Sequence, residues 1–210
     1  MSSVATIKRN IIPPYLEVKG GRPLSGFLKV SGAKNSSLAL MAASLLTKEK
    51  LIIKNVPQLT DIEVMSEILS NLGAKLTKTN NSIEINSESI HNVELPYQLV
   101  HSLRASFFCV GPLLTRLGEA KIPLPGGCNI GARPVDEHIN GLRALGAEVE
   151  VINDVVKAQV STKDKRLRGA NITLKYPSVG ATETILMASC LASGKTTISN
   201  PARERNVFLA

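Results

Sequence analysis

Apolar positions along the chain keep two rhythms, one of helical and one of strand spacing, and the pair recurs. Between Thr60 and Leu72, residues Val64, Met65, Ile68, Leu69 and Leu72 fall on one face at spacings of three and four, which predicts an amphipathic helix. Thr60 and Glu63 form the T-x-x-E pattern of a capping box at its start, and Gly73 suits a left-handed stop. Two short runs, Ala74 to Lys78 and Ser82 to Asn86, then predict strands joined as a hairpin at Asn80-Asn81. The same order returns further on: a helix from Asp136 to Leu145, Leu145-Gly146-Ala147 matching Leu72-Gly73-Ala74, and strands Ala147 to Ile152 and Val155 to Val160 around Asn153-Asp154.

A second motif also repeats. Ser31-Gly32-Ala33-Lys34-Asn35 opens an apolar helix that leads to a strand ending at Asn55-Val56-Pro57. Ser178-Val179-Gly180-Ala181-Thr182 opens another, which leads to Asn200-Pro201. Together these predict a unit of strand, helix, strand, helix, strand, strand, over about 27–86 and again over about 102–160, with Glu119 to Leu124 as the middle strand of the second copy. The first copy begins with a strand at Phe27 to Val30. A third copy starts near Ala170 with a helix from Thr182 to Ala192 and a strand from Lys195 to Ser199. Its second helix and hairpin are not reached by Ala210. The third unit is therefore expected to be incomplete, with Ile185, Leu186 and Leu191 partly uncovered.

Composition narrows the function classes. Hydrophobic residues make up 43 % and charged residues 20 %, which suits a globular chain with a core. Aromatics are 3 % with no Trp, which counts against single-stranded nucleic-acid binding by base stacking. Residues 1–10 lack the apolar stretch of a signal peptide, and Leu38 to Leu46 is far short of the ~20 residues that span a bilayer. These features read as a cytoplasmic chain without a membrane partner. Net charge is +8, and the first fifty residues carry eight Lys or Arg against Glu17 and Glu49. A surface of that sign suits nucleic acid or a small polyanionic substrate.

Three cysteines, an odd number, make a disulfide framework unlikely. Cys109 and Cys190 lie in apolar runs and are expected in the core, and no CxxC or His/Cys cluster supports a metal site. Cys128 differs. It follows two glycines in Pro125-Gly126-Gly127-Cys128-Asn129, a loop that would present its thiol, and Arg133 nearby would favour the thiolate. Such a thiol can donate a proton or attack as a nucleophile. Lys34 and Asn35 stand at a helix start, where backbone N–H groups favour anions. Gly194-Lys195-Thr196 is not a phosphate loop, because the first glycine of that motif is replaced by Ser189 and a strand follows. His101 and His138 read as surface or packing residues.

Taken together, Ser31 to Asn35, Arg104-Ala105-Ser106, Pro125 to Asp136, Leu145-Gly146-Ala147 and Ser178 to Thr182 resemble the UDP-N-acetylglucosamine 1-carboxyvinyltransferase family of enolpyruvyl transferases, over about residues 15–205. The Pro-Gly-Gly-Cys to Arg-Pro-Val-Asp stretch is the specific part, since the sister shikimate-pathway enzyme has no such cysteine loop. The resemblance implies transfer of the enolpyruvyl group of phosphoenolpyruvate to the 3′-hydroxyl of UDP-N-acetylglucosamine, with release of phosphate, as the first committed step of peptidoglycan synthesis. It implies no cofactor, no metal, and these two small molecules as partners rather than nucleic acid.

By the same resemblance Cys128 is the catalytic proton donor and the target of the antibiotic fosfomycin. Lys34, Asn35 and Arg133 hold phosphoenolpyruvate. Arg104, Arg133, Pro134, Val135, Asp136, Glu137, Ser178 and Val179 hold the nucleotide sugar, while the position of a further family lysine is Tyr176 here, with Lys175 before it. The implied fold is α/β (α+β), an inside-out α/β barrel of repeated βαβαββ units. Residues 1–30 would belong mostly to a second domain, and 31–210 to the cysteine-bearing domain. Two alternatives stand beside this reading: an inactive portion of the same family, and a basic nucleic-acid-binding module.

Overall fold

A computed structural model describes residues 17, 20, 21, 23, 25–126 and 134–204. The chain divides into two units, 1–30 and 31–210. In the first, residues 27–30 form no strand, contrary to the expectation from their apolar character. A strand is defined by a ladder partner, and these residues have none among the described residues. Phe27, Leu28 and Val30 are exposed.

The second unit carries the repeat. Its first copy runs α1 (Lys34–Ala43), a 3-10 turn (Ser44–Leu46), β1 (Lys50–Lys54), α2 (Thr60–Asn71), β2 (Lys75–Lys78) and β3 (Ser82–Asn86). The strands form an antiparallel sheet in the order β1-β3-β2, with Ile53 opposite Ile83 and Leu76 opposite Ile85. Alternation decides which side is buried: Ile83 and Ile85 face inward, and Glu84 between them pairs with Lys50 at 2.9 Å. Gly73 stops α2 with φ +101°, as its sequence position predicts. The capping box does not form. Thr60 lies inside the helix, and Glu63 is taken instead by Lys78 of β2.

The second copy comprises α3 (Tyr97–Ser102), a 3-10 helix (Arg104–Cys109), α4 (Val110–Leu117), β4 (Glu119–Pro123), α5 (Asp136–Ala144), β5 (Ala147–Ile152) and β6 (Val155–Val160). Its sheet has the matching order β4-β6-β5. Asn153 and Asp154, with φ 50° and 59°, supply the two left-handed residues that a tight hairpin of type I′ requires. The third copy comprises β7 (Asn171–Thr173), α6 (Val179–Ser189) and β8 (Thr197–Ser199), with β7 and β8 parallel. The described residues form no closed barrel; their strands fall into three separate sheets.

The helices hold these copies together, α6 packing on α4 and α5, and α1 on α2. α6 is buried on nearly every side, as an apolar helix inside a core must be. Gly111 of α4 and Gly141 of α5 let it come close: a Cβ on Gly111 would lie 2.6 Å from the Thr184 carbonyl oxygen, and one on Gly141 2.2 Å from Ile185 Cδ1. Ile185 is therefore fully covered, against expectation, by α5. Leu186 and Leu191 are 40 % and 36 % exposed. Cys190 ends α6 on that open side and is exposed, so its expected core position is corrected; Cys109 is buried. Hydroxyls in the buried helices bond back to their own turns, such as Ser66 Oγ to the Ile62 carbonyl at 2.7 Å and Thr182 Oγ1 to that of Ser178 at 2.7 Å. No helix among the described residues is long and apolar enough to cross a membrane.

Candidate active site

Three helices begin at one cleft of about 590 Å³. α1 contributes Asn35 and Leu38, the residues before and within α5 contribute Pro134, Val135 and His138, and α6 contributes Val179, Gly180 and Glu183 after its cap Ser178. The 3-10 helix supplies Arg104, Ala105, Phe107 and Phe108 as the remaining wall, and Pro125 and Tyr176 close the rim.

The first N–H groups of a helix have no partner in their own helix and carry about half a positive charge between them. At α1 and α5 the cap residues, Ala33 and Val135, make no side-chain cap bond, so those N–H groups have no acceptor of that kind. At α6, Ser178 Oγ accepts from Ala181 N at 3.3 Å. Asp136 and Glu137 in the first turn of α5 offset part of the positive field. With Arg104 added, the cleft combines apolar walls with convergent donors, which suits a small anionic ligand.

Six of the residues singled out from sequence line this cleft: Asn35, Arg104, Pro134, Val135, Ser178 and Val179. Lys34 stands at the start of α1 but points to Asp61 of α2, 2.7 Å away. Glu137 is buried and engaged internally, its Oε2 accepting from Lys175 N at 2.7 Å and its Oε1 from Asn140 Nδ2 at 3.3 Å. Asp136 is exposed in the first turn of α5. Cys128 and Arg133 lie outside the described residues, but Pro125 and Pro134 on either side of that stretch both line the cleft. Of Lys175 and Tyr176, the lining residue is Tyr176.

Two titratable residues of the wall were not placed at a site from sequence: His138, read there as a surface or packing residue, and Glu183, which was not singled out. His138 is buried edge-on to Phe107 at a centroid distance of 5.0 Å, and its Nδ1 meets Thr184 Oγ1 at 2.9 Å. Burial, aided by the charge of Arg104, pushes its imidazole down to about 4, so it is neutral at physiological pH. Glu183 is 6 % exposed, and its Oε2 has no hydrogen-bond partner among the described residues. Burial, with Glu204 nearby, raises its carboxyl to about 7. A helical argument could have found both: Glu183 is one turn beyond Val179, and His138 one turn beyond Pro134 and Val135.

The model of the family EPSP synthase (3-phosphoshikimate 1-carboxyvinyltransferase) matches residues 18–208. The chain belongs to the EPSP synthase family. Among members of that family, it is 93 % identical over 207 residues to the UDP-N-acetylglucosamine 1-carboxyvinyltransferase of Prochlorococcus marinus strain NATL2A, covering 99 % of this chain and 45 % of the relative. It is 58 % identical over 192 residues to that of strain MIT 9301, covering 91 % of this chain and 42 % of the relative. The chain thus spans less than half the length of these relatives.

Among solved structures, the enolpyruvyl transferase NikO from Streptomyces tendae matches with a TM-score of 0.76 at 24 % identity, covering 90 % of this chain and 44 % of that one. EPSP synthase from Acinetobacter baumannii matches with a TM-score of 0.68 at 16 % identity, covering 88 % and 42 %. Both share the α/β fold described above.

Proposed function

We propose that the chain is the cysteine-bearing part of an enzyme that transfers the enolpyruvyl group of phosphoenolpyruvate to the 3′-hydroxyl of UDP-N-acetylglucosamine. The reading rests chiefly on the convergence of three helix N-termini and Arg104 on one cleft, a design for a polyanion. The cleft's size suits a small molecule rather than a nucleic-acid strand. In this account Arg104 and the starts of α5 and α6 hold the diphosphate, and Pro134, Val135 and Val179 pack against the apolar parts of the nucleotide sugar. Asn35 holds phosphoenolpyruvate together with Lys34, which must leave Asp61 to do so. An exposed ion pair of this kind is worth ~0–1 kcal/mol, so the exchange costs little.

Chemically, a general base takes the sugar hydroxyl proton as its oxygen bonds to C2 of phosphoenolpyruvate, while the Cys128 thiol delivers a proton to the methylene carbon and becomes a thiolate. A base then removes a proton from the new methyl group, which restores the double bond and expels phosphate. Cationic groups and helix N-termini stabilise the charge on the phosphate as it leaves. Residues 1–30 would belong mostly to a second domain, and the repeated units to an inside-out barrel of the cytoplasmic, peptidoglycan-forming enzyme. The repeat of sheet order between the first two copies supports that arrangement.

Calorimetric titration with UDP-N-acetylglucosamine tests the binding half of the proposal. Arg104→Ala should weaken affinity at least ~10-fold, the ~1.5–3 kcal/mol of a charge-assisted hydrogen bond. For the chemical half, mass spectrometry after fosfomycin treatment should place the adduct on Cys128. Absence of nucleotide-sugar binding, or an adduct confined to Cys109 or Cys190, would refute it.

A further inference from the structure

A buried carboxyl with an unpartnered oxygen is costly unless something answers it. Glu183 is such a group, placed one turn into α6 on the wall where three helix N-termini gather. Oε2 is shielded from solvent and has no hydrogen-bond partner among the described residues. An ionised carboxylate there would repel the polyanion that the rest of the wall attracts. Burial of Oε2 favours the protonated carboxyl, and Oε1, the oxygen not shut off from solvent, can present the O–H to a ligand oxygen in the cleft.

We infer that Glu183 is a binding residue of this cleft, donating a hydrogen bond from its carboxyl O–H to an acceptor oxygen of the nucleotide sugar. This rests on the functional reading above. Several charged or titratable groups face it. Glu204 follows β8 and opposes ionisation by its own charge. Arg104 from the 3-10 helix and His138 from α5 share the cleft wall, with Tyr176 at its rim, and α4 presents Gly111 to α6. His138 is neutral above about 4, so it does not change charge between pH 6 and 8. Glu183, raised to about 7, does.

The result is a ligand site that weakens as pH rises. If only the protonated form binds, the competent fraction falls from about nine-tenths at pH 6 to about one-tenth at pH 8, so the dissociation constant rises ~10-fold. Glu183→Gln keeps a donor at every pH. It should bind UDP-N-acetylglucosamine at pH 8 about as well as the unaltered chain does at pH 6, with no slope between. Glu183→Ala should bind weakly at both. Titration calorimetry of the three proteins with UDP-N-acetylglucosamine at pH 6, 7 and 8 reads this directly, with a thermal melt of each to show that it is folded. Failure of the unaltered chain to bind the nucleotide sugar at any pH overturns the functional reading and this inference with it. Tight binding with a flat pH profile, or a Glu183→Gln protein as weak as Glu183→Ala, overturns this inference alone.

Discussion

α6 is held between two glycines, and replacing each with alanine should have different costs for a reason visible in the packing. In Gly111→Ala the new methyl would sit 2.6 Å from the Thr184 carbonyl oxygen and 3.1 Å from Ala188 N. Carbon to carbonyl-oxygen contacts settle at about 3.3–3.6 Å. Both obstacles are backbone, so no rotamer can relieve them and α4 must move away from α6. Overpacking of this kind costs ~1–3 kcal/mol, and a backbone obstacle belongs in the upper part of that range. Alanine's better helix propensity returns ~1 kcal/mol. The net loss is then ~1–2 kcal/mol, or a fall in Tm of ~2–8 °C for a chain of this size.

Gly141→Ala instead meets Ile185 Cδ1 at 2.2 Å and Cγ1 at 2.4 Å, a side chain that can repack at part of the cost. Its loss should be smaller. Ile185→Ala, which alone should cost ~2–5 kcal/mol, should cost at least ~0.5 kcal/mol less in the Gly141→Ala background, because the added methyl fills part of the space. Thermal and urea melts of the single and double variants measure all of this. A Gly111→Ala protein as stable as the unaltered chain would show that α4 and α6 are not in the close contact described.

Further outcomes follow from the buried groups. His138 should make the fold acid-sensitive: the unfolded chain takes a proton at about 6.5 and the folded one resists until about 4, so stability is full above 6.5 and lost as pH falls through that window. At ~1.4 kcal/mol per unit this amounts to ~3 kcal/mol, and His138→Gln should flatten this part of a stability-versus-pH curve measured by urea melts. Cys109, fully buried and with its thiol pushed up to about 12, should resist iodoacetamide in the folded chain, whereas exposed Cys190 should react. Equal alkylation rates by peptide mapping would contradict that burial.

What the sequence made legible was periodic or local. The spacing of Val64, Met65, Ile68 and Leu69 located α2, and glycines at helix ends located its stop, because both signals act within a few residues. The capping box failed because the helix starts one residue earlier than the pattern requires: Leu59 is the cap, Thr60 lies inside, and Glu63, one position too deep, pairs with Lys78 instead. Ile185 and Cys190 were misjudged for another reason. α6 has no distinct apolar face, with Thr182, Glu183 and Thr184 set among its apolar residues, so periodicity cannot tell which side α4 and α5 will cover. The strand at 27–30 illustrates the same limit, since pairing is a property of two segments. At the cleft, Arg104 and Ser178 stood out by motif, but Glu183 and His138 did not, because their character comes from burial.

The strand ladders carry one more consequence, for how the chain is made. Among the described residues every ladder closes within its own copy: β1, β2 and β3 pair inside 50–86, β4, β5 and β6 inside 119–160, and β7 with β8 inside 171–199. Short separations between partners speed folding, and domains form from the N-terminal side during synthesis. Each sheet can therefore assemble as its own stretch leaves the ribosome, without waiting for the next. α6 is different. Its partners α4 and α5 precede it, so the wall that bears Ser178 and Glu183 is completed only after the first two copies are in place, and the cleft is among the last features of the unit to exist.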